Sequence, residues 1–452
     1  MVTQIVEQLT EAIQRGDLAQ GARLQPVREM ALQLGVSKST VIEALDRLRA
    51  KGLIVSRQGA GHAVARNQIK APGLGRDLLP QDTLSVLRRS LITETGKLRP
   101  GCGFLPLDWL PEDALLKAMR GAIRANTLRL SECGAAAGYL PLRHALQIKL
   151  AAVGIDVPVE QIVTASSTMN AVDMVLRLLL QPGDKVLLDD PCYFNFHAML
   201  AYRDASAITI KRTPQGIDFA ELEHTLMTHR PRVYITNSVL HNPLGHSFSP
   251  VEAFRLADLA RRYQVHIIED DLYCDIQMQP TPRLAVAGGL EHVSYISGFT
   301  KTLTPNTRAS FIVATPALSA QLTALKLSTG GITSELTEQI IYRILSEGSY
   351  GRHIARLTDR LFESGQNVAQ WLQQAGCEVQ STTGEGFFLW VRLPQELDAI
   401  VIARHALAEG MALAPGGLFS RDPAANQFLR FNVAHSDDAR VKSLFLRALT
   451  LR

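Results

Sequence analysis

Ser297-Gly298-Phe299-Thr300-Lys301, with Arg308 seven residues beyond the lysine, lies between a strand-like run, His292-Val293-Ser294-Tyr295-Ile296, and a turn-forming Thr304-Pro305-Asn306. That order puts Lys301 in a loop just past a buried strand, where open α/β sheets gather their ligand chemistry. Upstream, the apolar Val265-His266-Ile267-Ile268 ends in Glu269-Asp270-Asp271-Leu272-Tyr273, a second strand with acids at its carboxyl end. Earlier still stands Asn237-Ser238-Val239-Leu240-His241-Asn242-Pro243-Leu244-Gly245. The chain thus presents an Asn, an Asp-x-x-Tyr, a Lys and an Arg in that order, close to the ends of strand-like runs.

These residue types suit a phosphorylated aromatic aldehyde. A lysine amine condenses with an aldehyde as a Schiff base once its pKa is lowered. A carboxylate facing a pyridine nitrogen keeps it protonated, so that the ring can draw electrons. Asn and Tyr hydrogen-bond a ring hydroxyl, and Arg with backbone amides at a helix N-terminus holds phosphate. On these segments the chain resembles the fold-type I aminotransferases, which depend on pyridoxal phosphate. The resemblance implies Lys301 as the Schiff-base lysine with Thr300 beside it, and Asp270 as partner of the pyridine nitrogen. It also implies Asn242 and Tyr273 as contacts to the ring hydroxyl and Arg308 as a phosphate ligand. Taken singly, the pieces have plainer readings: Asp270 as a helix cap, Lys301 as a solvated side chain.

With 452 residues the chain is long enough for more than one folded unit. A composition 46% apolar and 20% charged is that of an ordinary globular protein. No uninterrupted apolar span of membrane length occurs and no basic-apolar-small leader opens the chain, so a cytoplasmic protein without a membrane partner is expected. Cys102, Cys133, Cys192, Cys274 and Cys377 are scattered and odd in number. They fit neither a disulfide framework nor a CxxC metal site, which points to a reduced compartment and no bound metal. The net charge is +4, and residues 1–70 alone hold ten Lys/Arg against six Asp/Glu. The excess positive charge therefore sits at the N-terminus, which favours an anionic partner there.

Val2 to Gln14 reads as an amphipathic helix with Ile5, Val6, Leu9, Ala12 and Ile13 on one stripe, ended by Gly16. After a turn at Gly21-Ala22-Arg23-Leu24, Pro26 falls in the first turn of a second helix, with Val27, Met30, Ala31 and Leu34 inward. Gly35-Val36 turns the chain, and Ser37 N-caps a third helix to about Ala50, with Val41, Leu45 and Leu48 inward. Leu53 to Arg57, Gln58-Gly59-Ala60-Gly61 and His62-Ala63-Val64 read as a hairpin wing. Two helices joined at a Gly, the second opening Ser-Lys-Ser-Thr, form a helix-turn-helix pattern. Residues 1–66 are similar to the winged helix-turn-helix domain of GntR-type regulators, departing at Gln25, where that family usually has Pro. The similarity implies Arg28 and Lys38 as readers of base edges. It also implies Ser37, Ser39 and Thr40 as phosphate contacts, and Gly61 at the wing tip near the minor groove. A dimerisation or docking module is the alternative.

Residues 67–76, with Ala71-Pro72-Gly73-Leu74-Gly75, read as a linker. Residues 77–452 then form the aminotransferase-like body, a large α/β domain at about 100–320 and a small domain mainly at 321–452. Alternating strand and helix signals run to about residue 320, as a mainly parallel sheet requires. Val163-Thr164-Ala165 leads into Ser166, Ser167 and Thr168 at the start of a helix, where small hydroxyl residues can serve a phosphate or simply cap. By resemblance Tyr193, in Pro191-Cys192-Tyr193, stacks on the pyridine ring, and Arg430, in Phe428-Leu429-Arg430-Phe431-Asn432, clamps a substrate or effector carboxylate. Their plainer readings are a core aromatic and an arginine at an exposed strand end.

A GntR-like head on an aminotransferase-like body resembles the MocR subfamily of bacterial regulators over nearly the whole chain. The resemblance implies a head-to-tail homodimer that binds pyridoxal 5'-phosphate and a double-stranded DNA operator. An amino acid, an amine or the cofactor itself would be the effector. Two other readings stand beside this one: a working aminotransferase carrying a DNA-binding domain, and a DNA-binding regulator with a vestigial cofactor pocket. Gly298 stands where the aminotransferase pattern has a phosphate-binding Ser, and Ala309 and Ser310 replace glycines. Cys133, in Cys133-Gly134-Ala135-Ala136-Ala137-Gly138, takes the place of a Tyr that reaches the neighbouring subunit's phosphate. Two lost donors at about 1–3 kcal/mol each weaken cofactor binding without abolishing it. That suits a sensor better than a rapid enzyme, with a residual transamination half-reaction still open.

Overall fold

The computed structural model describes residues 2–15, 18, 21–50, 53–57, 61–64, 97–124, 131–380, 385–394 and 397–450. Gly16, the wing turn 58–60, the linker 67–76 and the expected start of the body at Asp77 lie outside them. The chain divides into two compact units, Met1–Asp77 and Leu78–Arg452.

The first unit has three helices, α1 (Val2–Arg15), α2 (Val27–Gln33) and α3 (Lys38–Ala50), and an antiparallel pair, β1 (Ile54–Arg57) with β2 (Gly61–Val64). Ile5, Val6, Met30, Ala31, Val41, Ala44, Leu45 and Leu48 close its core. Two expectations need correction. Leu34 is exposed, because the chain leaves α2 there, and Val36 beyond the left-handed Gly35 turns in against the core instead. The segment at Arg23-Leu24 is more than a turn: Leu24 N donates to His62 O at 2.8 Å, and Arg23 bridges Ala63, so it runs along β2. Pro26 is the N-cap of α2, with extended ψ and no side-chain cap bond.

The second unit is built on an eight-stranded sheet. Its strands are β3 (Ile162–Ala165), β4 (Lys185–Asp190), β5 (Ser206–Thr213), β6 (Gly216–Ile217), β7 (Val233–Thr236), β8 (His266–Asp270), β9 (Val293–Gly298) and β10 (Ser310–Val313), in spatial order β3-β10-β9-β8-β7-β4-β5-β6. The five central strands β5, β4, β7, β8 and β9 run parallel, while β10 is antiparallel to both neighbours, β3 and β9, and β6 is antiparallel to β5. Parallel strands bury both faces, which explains the near-continuous apolar runs. Ile267, Tyr295, Phe311 and Val313 pack on one face with helices α4 (Glu112–Arg124) and α5 (Leu140–Ala151). Ile268, Ile296 and Ile312 pack on the other with α6 (Thr168–Leu179).

A four-stranded antiparallel sheet, β11 (Glu378–Val379), β12 (Phe388–Arg392), β13 (Ala414–Pro415) and β14 (Phe428–Asn432), in order β11-β12-β14-β13, carries a second core. That core draws on Leu105 and Trp109 from the start of the unit, whereas Leu318, Leu322, Ile340 and Ile341 pack on the large sheet. The helix Ser349–Gln374 joins the two cores, giving Tyr350 to the first and Leu357, Leu361 and Trp371 to the second. No helix of the described residues is long and apolar enough to cross a membrane.

Candidate functional site

Strand alternation decides which of three consecutive acids enters the site. Ile268 packs on the α6 face, so Asp270, two residues on, faces the same way at the end of β8. Glu269 points to the opposite face, where its carboxylate accepts N–H bonds of 2.8 Å from Leu284 and Ala285. Asp271 accepts from Arg283 and Tyr295. Asp270 Oδ1 is buried without a hydrogen-bond partner; Asp271 Oδ1 is too, but its Oδ2 takes both the Arg283 and the Tyr295 bonds. Burial pushes its carboxyl up to about 6, against the pull of Asn237 and Lys301.

Lys301 follows β9 in a turn, and its amine donates to the carbonyl of Gly103 at 2.7 Å. It lies 4.2 Å over the ring of Phe104. Burial, helped by the nearby Arg430 cation, lowers the amine to about 8. Gly103 lies against both cations: a Cβ there would be in ordinary contact, 3.5 Å from Lys301 Nζ and 3.9 Å from Arg430 Nη2.

Arg430 is no exposed strand-end residue. It sits in the middle of β14, 4% exposed, with its guanidinium near the rings of Phe388 (4.2 Å) and Phe419 (4.7 Å). Nη1 donates to Asn242 Oδ1 at 2.9 Å and Nη2 to Gly101 O at 2.8 Å, while Nε has no partner. Tyr273 is buried beside Phe387 and Phe388. Tyr193 is half-buried, and its hydroxyl accepts from Asn195 at 2.9 Å. Burial raises both phenols, and both lie within electrostatic reach of Arg430 and Asp270. Lys301, Asp270, Arg430, Asn242, Tyr193 and Tyr273 therefore gather around one place.

Ser166, Ser167 and Thr168 follow β3. Ser167 N-caps α6, its Oγ accepting from Asn170 N at 3.1 Å, and Thr168 is buried. Thr300 is buried next to Lys301. Arg308 precedes β10 in a left-handed conformation (φ 49°) and is exposed. Cys133 is likewise exposed. The site also uses Gly101, Gly103 and Asn237, which sequence reasoning passed over. The signal was the Gly-Cys-Gly spacing at 101–103: a Cβ at Gly101 would meet Ala414 N at 2.5 Å. A cleft of about 820 Å³ elsewhere is lined by residues including Asp190, Lys211, Arg392 and Asp422. Its one lysine, Lys211, is exposed, so it lacks a buried amine set against a buried acid.

In the first unit Arg28, Lys38, Ser39 and Gly61 are exposed. Ser37 Oγ lies 2.7 Å from both Ser39 Oγ and Thr40 Oγ1 and accepts from Thr40 N at 3.2 Å. The opening of α3 is therefore a hydroxyl cluster beside a cation. Further along, Arg47 and Arg49 pair with Glu43 and Asp46.

Residues 106–447 match the family described as aminotransferase class I and II, and residues 1–64 match the gntR family of bacterial regulatory proteins. The chain is 28% identical over 449 residues to the "Uncharacterized HTH-type transcriptional regulator YdcR" of Escherichia coli, covering 95% of this chain and 94% of that protein. It is 27% identical to the "Probable rhizopine catabolism regulatory protein MocR" of Rhizobium meliloti, covering 92% and 86%. Among solved structures, LysN, an α-aminoadipate aminotransferase of Thermus thermophilus, superposes with a TM-score of 0.72 at 24% identity, covering 80% of this chain and 94% of that one. The last of these likenesses bears on the fold.

Proposed function

Because this chain belongs to the aminotransferase class I and II family and carries a gntR-family domain at its N-terminus, we propose that it is a MocR-type transcriptional regulator whose body takes pyridoxal phosphate at Lys301 and reports an effector to a DNA-binding head. The observation that carries this reading is the unpartnered, buried Oδ1 of Asp270 in a site that also holds a half-buried amine of lowered pKa. A buried carboxyl oxygen without a hydrogen-bond partner is costly, and it suits a cationic ring nitrogen.

The residues fit the group. Asp270 would face the ring nitrogen, Asn242 and Tyr273 the ring hydroxyl, and Tyr193 the ring face. Ser166, Ser167, Thr168, Thr300 and Arg308 would hold the phosphate. When bound, pyridoxal phosphate supplies an electrophilic aldehyde and an electron-accepting ring. The chain supplies the rest. At neutral pH a useful fraction of the Lys301 amine is unprotonated, and the Gly103 carbonyl orients it. Arg430, fixed by Asn242 and Gly101 between two aromatic rings, offers a planar cation for a carboxylate. An amino acid, an amine or the cofactor itself is the effector class that suits these groups.

In the head, Arg28 and Lys38 read base edges, Ser37, Ser39 and Thr40 contact the phosphates of a double-stranded operator, and Gly61 lies at the wing tip near the minor groove. The working species is a head-to-tail homodimer in the cytoplasm. The test is DNA binding by the full chain with and without pyridoxal phosphate and amino acids. Lys301→Ala should bind DNA yet lose the response, and Arg28→Ala should lose DNA binding but keep the cofactor. An unchanged response in Lys301→Ala contradicts the proposal. A working aminotransferase is the second reading, favoured by the joint presence of Lys301, Asp270 and Arg430. Multiple turnovers with an amino acid and a keto acid would select it.

A further inference from the structure

One more polar side chain stands at this end of the large sheet. Ser310 opens β10, the strand between β3 and β9, and pairs with Ala165 on one side and Gly298 on the other. Ile312, two residues on, packs on the α6 face while Phe311 and Val313 pack on the opposite one, so Ser310 faces α6. Ala165 leads directly into Ser166, Ser167 and Thr168. Gly298 leads in three residues to Lys301, and Arg308 lies two residues before Ser310. The serine thus sits where all the segments around the candidate phosphate end converge. It is 3% exposed, and its Oγ reaches Ala165 O across 3.3 Å, long for a hydroxyl donor. Such a weakly held proton is free to turn to a better acceptor.

Gly298 strengthens the case. A Cβ there would lie 2.7 Å from Ser310 Cβ and 2.9 Å from Ala309 O. Position 298 therefore has no room for a side chain, and the one side chain at this pair is carried by β10. A serine at 298 would need the volume that Ser310 occupies. The hydroxyl missing from β9 therefore stands directly across the ladder on β10.

We propose that Ser310 donates its hydroxyl to the phosphate of the cofactor, replacing the donor that position 298 cannot carry. This rests on the reading of the body as a pyridoxal-phosphate site. A hydroxyl bonded to a phosphate anion is charge-assisted, so its loss should weaken binding by about tenfold to a hundredfold.

The test titrates cofactor-free full-length protein with pyridoxal phosphate and, separately, with unphosphorylated pyridoxal, following visible absorbance. Ser310→Ala keeps the Cβ and removes only the hydroxyl. It should lose pyridoxal phosphate affinity by about tenfold or more and leave pyridoxal affinity unchanged. Ser310→Ala binding pyridoxal phosphate as tightly as wild type overturns the proposal, as does an equal loss for both ligands, which marks a purely structural role. Wild-type protein that takes up neither ligand overturns the cofactor reading itself, and this proposal with it.

Discussion

Asp270→Asn separates what the fold wants from what the site wants. In the cofactor-free protein this carboxyl is buried, leaves Oδ1 unpartnered and is pushed up from 3.8 to about 6. A folded-state pKa above the unfolded one means that the native state holds the proton more tightly. The penalty on the charged form is therefore absent below pH 3.8, grows between 3.8 and 6, and is complete above about pH 6. Roughly two pH units at 1.36 kcal/mol each amount to about 3 kcal/mol at pH 7.5. Asparagine has the same shape and carries no charge. Asp270→Asn should then raise the thermal midpoint of the cofactor-free protein by roughly 5 °C at pH 7.5 and by little at pH 4. The same substitution removes the anion facing the ring nitrogen, so pyridoxal phosphate affinity should fall by about tenfold or more. Calorimetry at the two pH values and an absorbance titration measure both arms. A midpoint at pH 7.5 no higher than wild type, or an equal gain at both pH values, refutes the reasoning.

Three further outcomes are expected. Capture of pyridoxal phosphate by Lys301 requires the neutral amine, so its rate should rise with pH to a plateau with a midpoint near 8; a rise continuing toward 10.5 would show an ordinary solvated lysine. Arg430→Lys loses the two-pronged hold on Asn242 and Gly101. It should weaken amino-acid binding to the cofactor-loaded protein by about tenfold or more, as measured by the spectral shift, while cofactor uptake persists. Ser37→Ala removes the cap on α3 and should destabilise the head by about 1 kcal/mol in a denaturation curve followed by helix signal.

Much of the architecture was legible because it is written in local patterns. The apolar runs before Asp270 and Lys301 are strands buried on both faces, and Ser37 caps the helix that its position predicts. What was not legible depends on tertiary contacts. Leu34 continues the apolar spacing of α2, yet the chain leaves the helix there and Val36 takes its place against the core. Asn242 and Arg430 were assigned separate partners, one a ring hydroxyl and the other a carboxylate. They lie 188 residues apart and are hydrogen-bonded to each other, which a linear pattern cannot show. Gly103 carries no side chain to attract notice, and its importance comes from the carbonyl that meets Lys301. Gly298 and Ser310 read as two unrelated departures in the sequence, whereas strand pairing makes them one exchange.

The central claim is that the body is a live pyridoxal-phosphate site joined to a DNA-binding head. The most direct measurement adds pyridoxal phosphate to the purified full-length protein, records its visible absorption, and then reduces it with borohydride before peptide mass analysis. The account predicts a saturable protein-bound band and a reduced cofactor fixed on Lys301. No band at saturating cofactor, or label spread over surface lysines with Lys301 unmodified, would contradict it.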